Sequence, residues 1–335
     1  MTSVPTRSEA PADGRISVGG RRPSRGRGAG AVGGTGGAGR SGRSGRSRRE
    51  SRVAPWAFVT PSLVLFSVFA FAPILASVVL SFENVQVFGG GTFVGLQNYQ
   101  TMLTTPLFWE AVKNTLIFTV GTVPTSAALG LLLAIMLNRK LPGRGIIRSL
   151  YFLPMVVSGV AVSLVFIWMF DSNDGVVDAF LQAIGLPRIG WLTSPDWAMV
   201  TVILAVVWGR IGFCMVTYLA ALQGINPSLL EAAQIDGAGS WRRFTGITWP
   251  LLNPTTYMLI VLNVVFSLQA FDVIYVMTGG GPGFSTTVLI QYIFRSAFTN
   301  GQMGYASAIG VFLVVVLLLL TLLRNRIAKR TEEES

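Results

Sequence analysis

The chain of 335 residues is 51% hydrophobic and only 12% charged, about half the roughly 25% charge of a soluble domain, which excludes a water-soluble globular fold. It contains no histidine and one cysteine, Cys214, inside an apolar run, so an internal disulfide, histidine-based metal sites and His-dependent catalytic triads are excluded as well. The net charge of +11 sits mostly in residues 1–52, where twelve arginines face only Glu9, Asp13 and Glu50, leaving +2 for the rest.

Residues 1–52 are rich in Gly, Arg and Ser, end in the near-repeat GRSGRSGRSRRESR and contain no aromatic residue. Such a segment cannot bury enough apolar surface to offset its ordering entropy, so a disordered tail is expected. Its arginines suit anionic lipid head groups or RNA; the plainer reading is a solvated tail that keeps the N-terminus inside. The apolar run that follows is far too long for a cleavable signal peptide.

That run, Val53–Phe82, holds thirty residues without a charge, more than the roughly 20 needed to cross a bilayer. Five further runs are expected to span: Asn114–Leu137, Ser149–Phe170, Trp197–Leu222, Thr255–Met277 and Tyr305–Leu323. The predicted fold is therefore all-α, with six transmembrane helices from 53 to 323, a tail at 324–335, and both termini on one side.

Lys and Arg set the orientation. The N-tail, the loop carrying Arg139, Lys140, Arg144 and Arg148, the loop carrying Arg242 and Arg243, and the C-tail together hold 22 of the 26 basic residues. Termini and the 226–254 loop are thus expected in the cytoplasm. The opposite side carries FVGLQNY (93–99), an acidic and aromatic rim of Asp171, Asp174, Asp178 and Asp196 with Trp191 and Trp197, and a Gly-rich turn at 278–283 followed by a helix-like run over 285–298. The tryptophans read as interfacial anchors, with stacking on a ligand as the alternative.

The segment Asn226–Pro254, NPSLLEAAQIDGAGSWRRFTGITWPLLNP, is polar and punctuated between two apolar runs. Asn226 can cap a helix that starts at Pro227, and Asp236-Gly237 can stop it. Ser240 can cap a second short helix, with Pro250 and Pro254 closing the segment.

Glu231-Ala232-Ala233, Asp236-Gly237-Ala238, Trp241, Phe244, Ile247, Pro250 and Pro254 resemble the cytoplasmic signature loop of the membrane subunits of binding-protein-dependent ABC importers. With FVGLQNY, Gln269-Ala-Phe-Asp272 and the Gly-Pro turn, the chain is similar to the carbohydrate branch, the permeases for maltose, trehalose and glycerol phosphate. The resemblance spans about 55–326; the Arg-rich N-tail departs from it. It implies a coupling helix seated on a separate ATPase, with Glu231 pairing or capping a group there. Gly237 would make the turn, and Ala232, Ala233 and Ala238 would allow close approach. It further implies a second, similar permease chain, two ATPase subunits that use ATP-Mg, an extracytoplasmic solute-binding protein and a multi-pass place in the cell membrane. No catalytic residue, cofactor, metal or nucleic acid is implied for this chain.

Polar groups within spans are costly and usually line a cavity or a partner contact. Two ionisable residues lie there, Arg210 and Asp272, at depths that differ by roughly 10 Å. They can pair structurally between neighbouring helices. Alternatively Asp272, with Gln269 and Asn263, faces a solute path, where Phe271 or Tyr275 stacks on a sugar ring. Arg210 would suit a phosphate.

Other classes explain less. No Gly-Lys pair occurs, so a Walker A motif is absent. The halves lack the self-similarity usual in secondary transporters. A channel leaves the 226–254 loop unexplained. The reading is a sugar or oligosaccharide importer permease, with a polyol phosphate as the alternative solute.

Overall fold

The computed structural model describes residues 53–86, 89–139 and 142–333; the expected disordered tail at 1–52 lies outside the described residues. Helix α1 (Val53–Phe66) continues through a wide turn at Ser67–Phe71 into α2 (Ala72–Leu80). Nearly every described side chain of this first span is open, with Phe66, Phe69 and Leu75 at 62%, 75% and 66% exposure. A helix so uniformly apolar yet unburied is matched to hydrocarbon or to another membrane chain.

The first external segment pairs two short strands, β1 (Glu83–Asn84) and β2 (Thr92–Phe93), antiparallel, with Glu83 opposite Phe93. Helix α3 (Gln97–Thr104) follows. Asn98 of the FVGLQNY run ties it back, since its Nδ2 donates to the carbonyls of Ser81 and Glu83 at 2.9 Å each.

The second span, α4 (Pro106–Leu137), begins eight residues before the expected Asn114. Pro106 explains the early start, because a proline in the first turn forfeits only an amide that would be unpaired. The third expected span, 149–170, is not one helix: α5 (Arg144–Val156) and α6 (Gly159–Met169) meet at an angle of 101°. Pro154 removes the amide that would bond back to Leu150 and crowds the preceding turn. Val157 and Ser158 are then extended.

After a short α7 (Val176–Ala183) comes α8 (Pro195–Gly224), which packs along α4. Small residues allow that approach: Ala127, Gly130 and Ala134 of α4 lie against Cys214, Tyr218 and their neighbours. Close packing of small residues is how helices associate where no water drives them together. A β-carbon at Gly130 would overlap the Cys214 side chain. Gly130→Leu is therefore expected to destabilise the pair by about 1–3 kcal/mol through overpacking, read as a lower unfolding temperature in detergent; an unchanged midpoint would refute the contact.

The rim between α6 and α8 turns partly inward. Asp178 is buried, and its Oδ1 accepts from Trp191 Nε1 at 3.0 Å and Ile189 N at 3.2 Å. Trp191 packs edge-on to Phe170 and Trp197, so this pair is a structural bond rather than part of an exposed rim.

Helix α9 (Pro227–Ile235) is followed by α10 (Ser240–Arg243), a wide turn at Phe244–Thr248 and α11 (Trp249–Leu268). Pro250 and Pro254 do not close the loop, because the helix runs unbroken from Ser240 to Leu268. The wide turn before Pro250 relieves its missing amide, and further on each backbone group in hydrocarbon needs an internal partner. The fifth span accordingly ends at Leu268, short of the expected Met277, and α12 (Asp272–Thr278) is a separate helix.

The Gly-rich turn leads to α13 (Leu289–Phe294), a wide turn at Arg295–Thr299, and α14 (Met303–Glu333), which continues past the expected end at Leu323. Asn114 of α4 holds the turn by donating to the carbonyls of Phe284 and Thr287 at 2.8 and 3.2 Å. Among the described residues there are five helices long and apolar enough to cross a membrane, or six if the bent α5–α6 pair counts as one span.

Candidate functional site

Two helix breaks meet in one place. The extended residues between α5 and α6 and the irregular turn Gln269–Phe271 between α11 and α12 border the same cleft, and α6 packs against α12. Non-helical backbone within the bilayer is tolerated where protein buries it or it lines a cavity. The cleft measures about 370 Å³ and gathers five of the six predicted path residues: Arg210, Asn263, Gln269, Phe271 and Asp272.

Arg210 and Asp272 do not form the structural pair considered from sequence. The Arg210 guanidinium instead donates from Nη1 to the Asn263 carbonyl at 3.2 Å and to Ser267 Oγ at 3.3 Å, and lies 5.4 Å from the Phe266 ring centroid. These neutral partners orient the cation without neutralising it. Asp272 opens α12 with an exposed side chain, on the cleft wall beside exposed Gln269.

Asn263 is buried in the cleft wall and donates from Nδ2 to the Leu259 carbonyl at 2.8 Å. Its Oδ1 is left buried without a hydrogen-bond partner, an acceptor that costs free energy until a donor reaches it.

Tyr275 is displaced from the predicted set. It stacks on Phe271, with centroids 5.0 Å apart and planes at 18°, but lines an adjoining recess instead. Sequence reading missed Ser267 and Phe266, which hold Arg210, and missed the Pro154–Gly159 wall. The pattern Leu-Pro154 followed by Ser158-Gly159 was the available signal of a broken helix.

The 226–254 segment is a second feature, distant in sequence from the break at 157–158. Asn226 caps α9 as expected, its Oδ1 accepting from Ser228 N at 3.0 Å. Gly237 takes φ +78°, and Ala238 N bonds the Ala233 carbonyl at 2.9 Å, so Asp236-Gly237 ends the helix as predicted. Ser240 does not cap the next helix; Gly239 occupies that position, with no side-chain bond.

Arg243 fastens the two helices by donating from Nη1 to Gln234 Oε1 at 3.1 Å. Glu231, Ala232 and Asp236 are exposed, Ala233, Ala238 and Phe244 are half-buried, and Pro250 is exposed. Trp241 and Ile235 stand at 76% and 87% exposure, a bare apolar surface on a polar loop.

The helical spans, the cavity at their breaks and the short helix pair at 227–243 define a polytopic membrane transport subunit. Residues 126–333 match the binding-protein-dependent transport system inner membrane component, and the chain belongs to that family. It is thus a multi-pass inner-membrane permease of an ABC importer, a component that transports rather than catalyses.

The lactose transport system permease of Rhizobium radiobacter is 42% identical over 278 residues, covering 80% of this chain and 92% of the relative. The sulfoquinovosyl glycerol transport system permease of Agrobacterium fabrum is 36% identical over 280 residues, covering 83% and 91%. A chain of the bacterial alginate ABC transporter, solved with a periplasmic protein bound to alginate pentasaccharide, superposes with a TM-score of 0.74 at 29% identity, covering 83% of this chain and 94% of that one.

Proposed function

We propose that this permease imports a sugar or oligosaccharide through a path that includes the cleft at the two helix breaks. The observation that carries the reading is the convergence there of Asp272, Gln269 and the unpartnered Asn263 Oδ1. Carboxylate and amide oxygens accept from adjacent hydroxyls, and Phe271 offers a ring face. The names of the lactose and sulfoquinovosyl glycerol permeases and the alginate complex support a saccharide solute.

In this reading the chain pairs with a second, similar permease, because a lone chain leaves one side of the path facing lipid. Two ATPase subunits bind on the cytoplasmic side and supply ATP-Mg chemistry, while this chain binds no cofactor. The positive-inside rule puts the termini, including the tails at 1–52 and 324–335, and the 226–254 loop on that side. Within the loop, Glu231, Ala232, Ala233, Asp236, Gly237, Ala238, Trp241, Phe244 and Pro250 form the coupling element. The transmembrane domain of 53–323 alternates between outward- and inward-open states as the ATPases close and open.

A second reading rests on Arg210, a cation without a carboxylate partner in the cleft wall: the solute is a polyol phosphate. One experiment separates these. The tagged chain is purified from its own membranes in mild detergent, its companions identified by mass, and ATP hydrolysis measured with binding protein and either neutral saccharides or glycerol phosphate. Stimulation by saccharides supports the first reading, and stimulation by glycerol phosphate alone the second. Purification of the chain alone, under conditions that preserve an importer of known composition, would overturn the assembly.

A further inference from the structure

A second recess adjoins the cleft across the Phe271–Tyr275 stack. It measures about 300 Å³ and is lined by Tyr275, Gly279, Thr287, Gln291, Phe294, Arg295 and Thr299, which places it within the size range of ligand pockets. Its residues come from α12, the Gly-rich turn, α13 and the wide turn beyond.

The floor is polar and incompletely bonded. Gln291 is 4% exposed, and its Oε1 is buried without a hydrogen-bond partner. Buried carboxamides are normally bonded, and a vacant acceptor is expensive unless something reaches it. Gly280 lies directly against the Thr287 and Gln291 side chains. It takes φ +92°, and a β-carbon there would come within 2.6 Å of Thr287 Oγ1 and 2.9 Å of Gln291 Nε2.

The walls are aromatic. Tyr275 stacks on Phe271, which lines the cleft, and meets Phe294 edge-on at 5.4 Å; Phe294 in turn lies 5.1 Å from Phe298. Tyr275 and Phe298 remain 48% and 66% exposed. A run of aromatic rings leading from one cavity past the next, with Tyr275 partly open above a hydrogen-bond acceptor, matches the amphipathic surface of a sugar unit.

We infer that this recess is an outer subsite, which holds a further sugar unit of a saccharide whose neighbouring unit occupies the cleft. Gln291 Oε1 accepts from one of its hydroxyls, and the Tyr275 and Phe294 rings pack against its apolar face. The inference rests on the saccharide reading above and adds to it a preference for longer chains. If the recess had only a structural role, Gln291→Leu would relieve a vacant polar group and leave uptake alone. If it is a subsite, the same change penalises only solutes long enough to reach it.

The test uses the complete importer, with binding protein and ATPase subunits, in proteoliposomes. Uptake of labelled lactose is compared with galactosyl-lactose, and maltose with maltotriose, in wild type, Gln291→Leu and Thr299→Trp. Thr299 is exposed on the recess wall, so a tryptophan there fills the recess from its open side. In both variants the ratio of longer to shorter saccharide is expected to fall at least about fivefold, the loss of one hydrogen bond or of the space for the unit. Uptake of the shorter member and the unfolding temperature should be retained.

An unchanged ratio in both variants, an equal fall for both members, or a wild type that carries only the shorter members would overturn the subsite. The Asp272→Asn change in the cleft should lower both members together, which distinguishes failure of the subsite from failure of the path. If the wild-type complex carries none of the four saccharides and responds only to glycerol phosphate, the saccharide reading fails and the subsite with it.

Discussion

Glu231→Lys is expected to abolish solute-stimulated ATP hydrolysis while the permease inserts and folds normally. Glu231 is exposed on α9, away from the buried clusters, so its replacement removes nothing from the interior. A lysine there reverses the charge that the proposed coupling surface presents. Losing a charged partner at a buried contact costs about 2–5 kcal/mol, and 2 kcal/mol already weakens association roughly 30-fold.

Gly237→Val should give the same phenotype by another route. At φ +78° an L-residue is strained by roughly 1–2 kcal/mol, and a β-branched one more. The turn that aims α9 relative to α10 must then open, even though no atom lies within 4 Å of the position where the new β-carbon would sit. Hydrolysis and uptake are measured together on purified complex. Normal solute-stimulated hydrolysis in both variants at normal expression would remove the coupling role from this loop.

At the cleft, Asp272→Asn is expected to lower uptake at subsaturating solute by about tenfold or more, and Gln269→Ala, which removes a neutral hydrogen bond of about 0.5–1.5 kcal/mol, by about two- to tenfold. A hydrogen bond to a charged group contributes about 1.5–3 kcal/mol, and 1.4 kcal/mol is a factor of ten. Asn retains an acceptor but loses the charge; Ala loses the acceptor and donors of the Gln269 carboxamide. Unchanged uptake rate and solute choice in fully inserted protein would exclude these residues from the path.

Arg210→Gln separates the two solute chemistries. A neutral saccharide does not require the cation, so its uptake should fall only modestly, whereas a phosphate loses a charge-assisted partner and should fall more than about tenfold. An equal loss for both would mean that Arg210 acts by holding α8 to α11 through Asn263 and Ser267.

The 226–254 segment was legible because its signals are local. A capping asparagine, a proline in the first turn and a glycine in the left-handed conformation each act within a few residues, and Asn226, Pro227 and Gly237 behave as chain-local chemistry requires. Ser240 and the two prolines misled for the same reason: whether a helix continues past Pro250 depends on the hydrocarbon environment and on a wide turn that no single residue announces.

The number and approximate position of the apolar runs, the family signature and the charge asymmetry follow from composition and order alone, because hydrophobic length and charge are additive along the chain. The cleft is different. Arg210, Asn263 and Asp272 lie on three helices, and only the packing of α6, α8, α11 and α12 joins them. That packing also decided that Arg210 rests on a carbonyl and a hydroxyl rather than on Asp272, and that Tyr275 faces a second recess. Hydrophobic pattern reports how much of a helix is apolar but not where it breaks, and both cavities form where, or next to where, helices break.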